Sequence, residues 1–151
     1  MPDGAEFRQR VCDVPWEHIV SQQLDAVICP QIGPFLAKAL KIDPLGRYTT
    51  EDVLKQSRMG TLRLWVSYDP ERREFEMAAT TQIIQSLRVR ECKIGIGGGR
   101  NMRCWKDEFA HMVEAYARAV GCRYLTGGGR IGWTRAVPGW KQVGIEIAKE
   151  L

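Results

Sequence analysis

The sequence predicts a mixed α/β fold: helices first, then an antiparallel meander, then a strand–helix–strand–helix–strand run. Three observations carry that prediction. A short apolar run twice ends in three glycines and an arginine, at Gly97-Gly98-Gly99-Arg100 and Gly127-Gly128-Gly129-Arg130, and a helix-like segment follows each time. Between the two, the apolar period is helical: Trp105, Phe109, Met112, Val113, Tyr116, Ala117 and Val120 share one face, while Lys106, Asp107, His111, Glu114 and Arg118 share the other. Upstream, residues 61–68, 75–87 and 91–97 read as successive strands, the first two joined by an Asp69-Pro70-Glu71-Arg72-Arg73 turn.

The elements follow in order. The first ten residues are polar and predicted loose. Val14-Pro15-Trp16-Glu17 looks like a helix start, with Asp13 as N-cap and proline in the first turn. Ile19, Leu24, Val27, Ile28, Phe35, Leu36 and Leu40 continue a helical spacing that Pro30 and Gly33-Pro34 are expected to cut into two helices. Thr49-Thr50-Glu51-Asp52 starts a short helix through Lys55 that ends near Gly60. After the long helix from Asn101, Gly121 is a fitting C-cap. Residues 122–126 then form a strand, 131–137 a short helix stopped by Pro138-Gly139, and 141–147 a final strand. Right-handed crossover would place the strands at 93–97 and 122–126 parallel and adjacent, their carboxyl ends opening side by side.

Composition bounds the class. A chain of 151 residues, 44% hydrophobic and 26% charged, suits one soluble domain over residues 1–151 with a substantial core. The net charge of +4 is spread along the chain rather than concentrated, which argues against a dedicated nucleic-acid binder and fits an anionic ligand. Five cysteines (Cys12, Cys29, Cys92, Cys104, Cys122) without a C-x-x-C pair, and only two histidines, argue against a zinc site or a secreted disulfide framework. No membrane span or signal-peptide pattern is visible, so the expected location is the cytoplasm of a cell, or a particle assembled there.

The first glycine junction is the main candidate site. Chain that turns through glycines into a helix leaves backbone N–H groups unpaired, and these, with the positive end of the helix dipole, attract anions. The same glycines would equally serve a tight turn or close helix–strand packing. No Gly-Lys-Ser/Thr follows, so this is not a Walker loop, and Arg100 stands where a dinucleotide fingerprint needs its third glycine. Cys104, in the first helical turn, reads as a buried inert thiol. Trp105, Trp133 and Trp140 read as core or interface anchors, and His111 as an exposed histidine.

The order of elements resembles the acyl-CoA N-acyltransferase (GNAT) fold over nearly the whole chain, most strongly from 91 to 151. That resemblance implies a GNAT-like mixed sheet whose fourth and fifth strands splay apart, with acetyl-CoA as cofactor and no metal. Its pyrophosphate loop would be Gly97, Gly98, Gly99, Arg100 and Asn101, with the helix start at Met102 and Arg103. A narrower pattern is also present: a tryptophan opening a helix, Ala117-Arg118, Gly121-Cys122, Gly129-Arg130-Ile131-Gly132-Trp133 and a Lys149-Glu150-Leu151 finish. It is similar to small GNAT-like proteins of tailed phages and prophages, including internal virion proteins. The chain departs from the family in three ways. Its glycines are contiguous, where the family has glutamine or arginine followed by x-x-Gly-x-Gly or Ala. No tyrosine lies in 130–137, and no glutamate lies within the fourth strand beyond Glu91 at its start. Glu76 and Tyr124 remain as base and acid candidates. Two functions are therefore expected. One is a degenerate, non-catalytic virion-associated or assembly protein, in contact with other virion proteins or with itself and binding neither membrane nor nucleic acid. The other is an acetyl-CoA-dependent N-acetyltransferase.

Overall fold

The computed structural model describes residues 10–14, 22–128, 135 and 137–151, with the backbone alone for 22–27. Its elements are β1 (Val11–Asp13), α1 (Gln22–Leu40), α2 (Thr50–Arg58), β2 (Arg63–Asp69), β3 (Glu74–Gln85), β4 (Arg90–Gly99), α3 (Met102–Ala119) and β5 (Tyr124–Gly127). They form one five-stranded sheet in the order β1-β2-β3-β4-β5. Every neighbouring pair is antiparallel except β4–β5, which is parallel and pairs Glu91 with Tyr124 through Ile94 with Gly127. This is the mixed sheet with one adjacent parallel pair that the sequence predicts.

Both faces of the sheet are covered, which is why β2 is buried from Leu64 to Asp69. Leu64, Val66 and Tyr68 point to one face and pack with Ile28, Ile32 and Leu36 of α1 and Val53 of α2. On the other face Trp65, Met77, Ala79 and Cys92 meet Trp105, Phe109, Val113 and Ala117 of α3. The 3.6-residue stripe on α3 is therefore the buried stripe.

Four expectations need correction. The segment at Asp13 is a strand: Asp13 pairs with Trp65 in β1, and its carboxylate meets Arg63. The remainder of that predicted helix start, Pro15 to Glu17, lies outside the described residues. Second, Pro30 and Pro34 do not divide α1, which runs unbroken from Gln22 to Leu40. Both prolines sit on the exposed face, while Ile28, Ile32 and Leu36, each fully buried, hold the opposite face to the sheet. Packing of that stripe outweighs the missing backbone bonds.

Third, residues 141–147 are not a strand. Val143, Ile145 and Ile147 alternate as a strand would, yet each is more than 80% exposed, and among the described residues no strand pairs with them. The segment is tied down through Glu146, which meets Arg47. Fourth, Gly97, Gly98 and Gly99 do not form a loop: they are the last three residues of β4, paired with Ala79, Ala78 and Met77. The predicted helix at 131–137 lies largely outside the described residues, as do Gly129, Arg130, Trp133 and His18.

α2 behaves as its sequence dictates. The Thr49 hydroxyl accepts from the Asp52 N–H at 3.1 Å, and the Asp52 carboxylate accepts from the Thr49 N–H at 2.9 Å. This capping box satisfies two otherwise orphaned donors. At the end of α3, Gly121 takes φ +81°, the left-handed geometry that glycine adopts without strain.

Candidate functional site

The candidate site is built where β4 outruns β5. The last described pairing between them is Ile94 with Gly127, whereas β4 continues to Gly99. Over residues 95–99 its outer edge therefore has no ladder partner among the described residues. Ile96 donates its N–H toward β3, to the Thr80 hydroxyl at 3.1 Å, and Arg100 donates to the Glu76 carbonyl at 2.7 Å. Successive residues of a strand alternate in direction, so Gly97 and Gly99 aim their N–H groups the other way, into the opening beside β5.

The glycine side chains, or their lack, have a packing explanation of their own. A Cβ on Gly98 would lie 2.6 Å from the Phe35 carbonyl oxygen, because α1 crosses directly over it. One on Gly99 would lie 2.5 Å from the Glu76 carbonyl oxygen and 2.9 Å from the Met77 Cα. Gly97 is less constrained, at 3.2 Å from the Ala79 Cβ. The result is a bare strand edge, packed against α1 on one face and tight against β3 beside it, with Gly97 and Gly99 exposed.

Two residues connect this edge to α3. Arg100 is drawn back along β3: its guanidinium meets Glu74 at 3.0 Å, donates to the Phe75 carbonyl at 3.2 Å and lies 5.8 Å from the Phe35 ring centre. Its carbonyl accepts from the Trp105 indole at 2.7 Å, which fixes the angle at which α3 departs. Asn101 is the N-cap, in the left-handed region at φ 54°, ψ 41°, and its side chain makes no cap bond. The first turn of α3 carries no acidic residue, and Met102, Arg103 and Cys104 are all exposed. That uncapped start, with Arg103 on it, is suited to an anion. Cys104 is thus exposed rather than buried as expected, because α3 turns its Trp105 face inward.

Glu76 and Tyr124 are not brought together and neither faces the opening. Glu76 is 1% exposed, at an irregularity where β2 and β3 slip by one residue. Its carboxylate accepts from the Arg10 Nε and Nη2 at 3.0 and 2.9 Å and from the Ser67 hydroxyl at 3.1 Å. That hydrogen bond to Glu76 is the main cause holding the Arg10 guanidinium above its ordinary range. A carboxylate so engaged is a structural anion. Tyr124 is half exposed at the start of β5, opposite Glu91 and remote from Gly127, where the strands part. Arg10 and Thr80 were not legible as site neighbours: Arg10 reaches Glu76 across 66 positions of sequence.

Burial pushes the Cys12 thiol up to about 12 and the Cys92 thiol to about 11, so neither is a nucleophile at neutral pH. Among the described residues no cluster of histidine, cysteine or carboxylate side chains is arranged to hold a metal. Nor, among them, is any helix long and apolar enough to cross a membrane.

No protein-family model matches the chain, and no curated protein does. Solved structures do. It is similar to a GNAT family acetyltransferase from Staphylococcus aureus (TM-score 0.62, 9% identity, covering 93% of this chain and 97% of that one). It is also similar to glucosamine-6-phosphate N-acetyltransferase from Arabidopsis thaliana (0.60, 12%, 93% and 96%). A third is an aminoglycoside acetyltransferase from an uncultured soil sample, solved with sisomicin (0.62, 8%, 93% and 95%). At these identities the likeness establishes the fold, a GNAT-like mixed sheet, and leaves the chemistry to be argued from the site.

Proposed function

We propose that this chain binds an acyl-coenzyme A in the opening between β4 and β5 and works as an N-acetyltransferase. The observation that supports this reading is the unpaired β4 edge at residues 95–99 leading through only two residues into an uncapped helix start. The start of α3, with Asn101, Met102 and Arg103, would hold the pyrophosphate, and Arg100 would shape the turn rather than contact the ligand. The bound group would supply an activated acyl carbonyl. The Gly97 N–H would donate to that carbonyl oxygen, where negative charge develops during attack. With Glu76 committed to Arg10, no described side chain is placed to take the acceptor's proton. Attack by an amine that arrives already neutral fits this site: as the C–N bond forms and the C–S bond to coenzyme A breaks, the proton the amine sheds would pass to the departing thiolate.

Titration calorimetry with acetyl-CoA tests the reading, with Arg103→Glu as the variant. Arg103 is exposed, and a glutamate in the first helical turn is electrostatically favoured, so the fold should be untouched. Affinity should fall about tenfold, the equivalent of roughly 1.4 kcal/mol. Absence of binding at millimolar ligand, or an unchanged affinity in the variant, would reject it.

A second reading is the non-catalytic virion or assembly role implied by the phage-type resemblance, in contact with other virion proteins or with itself. It is favoured by the engagement of Glu76 and by the exposed row of Val143, Ile145 and Ile147. A protein that is monomeric and absent from particles would count against it.

A further inference from the structure

We infer that Thr80 is the residue that aims the Gly97 N–H at the acyl carbonyl, an inference that rests on the acyl-coenzyme A reading above. Between β3 and β4 the register breaks: Ala79 opposes Gly97 while Thr81 opposes Ile94, so Thr80 alone faces Gly95 and Ile96. This is a β-bulge, which strengthens twist and redirects a strand locally. A bulge leaves a backbone donor without its ladder partner, and here the Thr80 side chain replaces it. Its hydroxyl accepts from the Ile96 N–H at 3.1 Å and lies 3.4 Å from the Ile96 carbonyl, to which it can donate.

Thr80 is 1% exposed, so water does not compete for these bonds. Holding Ile96 toward β3 leaves the next N–H, that of Gly97, pointing outward at the position where β5 has ended. Thr80 touches no ligand; it is a positioning residue. Were its hydroxyl absent, the Ile96 N–H would be buried without a partner, and the bulge would lose the bond that holds the Gly97 N–H at its outward angle.

The test compares acetyl-CoA with CoA on the same protein. The two ligands share the pyrophosphate and differ in the acetyl group, so their affinity ratio reads the contacts of that group, and the Thr80 variants single out the Gly97 contact among them. Wild type should prefer acetyl-CoA by about fivefold, the size expected of one well-placed hydrogen bond. Thr80→Val should abolish the preference while leaving CoA affinity in place, and Thr80→Ser should restore it. In wild type, the Gly97 amide resonance in a ¹H–¹⁵N spectrum should move on adding acetyl-CoA and stay still on adding CoA, a readout that needs no variant. A Gly97 resonance indifferent to acetyl-CoA, a preference kept in Thr80→Val, or one lost in Thr80→Ser would overturn the proposal. Failure of wild type to bind either ligand would instead overturn the functional reading beneath it.

Discussion

Gly98→Ala is the sharpest test of why three glycines end β4. The added Cβ would stand 2.6 Å from the Phe35 carbonyl oxygen, whereas ordinary contact begins near 3.4 Å. One of the two backbones must give by about 0.8 Å, and neither does so easily. α1 is fixed through fully buried Ile28, Ile32 and Leu36, and β4 is held in the ladder to β3. Overpacking of this kind costs about 1–3 kcal/mol. Reduced freedom of the unfolded chain returns about 0.4–1 kcal/mol for Gly→Ala. The net loss should be about 1–2 kcal/mol, which for a chain of this size lowers Tm by roughly 3–8 °C. Urea unfolding at constant m-value is the assay.

Three companions calibrate it. Gly99→Ala, with backbone atoms at 2.5 and 2.9 Å, should cost at least as much; Gly97→Ala, at 3.2 Å from one methyl, should cost less. Gly128→Ala, with nothing within 4 Å, should be neutral or slightly stabilising. A Gly98→Ala protein as stable as wild type, or a ranking that ignores these distances, would refute the packing argument. The glycines would then be left with ligand approach as their reason. Gly98→Asp is correspondingly a poor probe of coenzyme binding, since it strikes α1 first.

Three further outcomes are expected. Glu76→Gln should cost about 2 kcal/mol, less than a fully buried pair because Arg10 is a third exposed and keeps Asp69 at 3.8 Å. A large loss of acetyl transfer with no change in unfolding would make Glu76 a base after all. The raised thiols of Cys12 and Cys92 give stability a defined alkaline limb. Below pH 9.0, the unfolded value, both states hold neutral thiols and the contribution is complete. As pH rises toward about 11 and then 12, the unfolded chain ionises first and that stability is lost. Alkylation followed by mass spectrometry should label exposed Cys104 first and reach Cys12 and Cys92 only on unfolding.

Local features were readable because their causes are local. The capping box of α2 depends on residues three apart, and the buried stripe of α3 repeats every third or fourth position within one element. The parallel pair followed from crossover handedness together with the apolar runs before each glycine run. The misreadings share the opposite property. A strand as short as β1 exists because Val11, Cys12 and Asp13 find Ser67, Val66 and Trp65, more than 50 positions away. Residues 141–147 have equal alternation but no such neighbour among the described residues, and they remain outside the sheet and exposed.

What the amino-acid order determined alone was the run of elements from α2 to β5, the inward face of α3, and the adjacency of the two glycine-ended strands. Each rests on interactions within one element or between consecutive ones. The use made of the glycines was decided only in three dimensions. The crossing of α1 above Gly98 and the nearness of Glu76 to Gly99 turn a presumed loop into a strand with no room for side chains. Likewise only the fold joins Arg10 to Glu76 and sets Thr80 under the Ile96 amide. Close packing and hydrogen bonding act between surfaces, and which surfaces meet is a property of the folded chain.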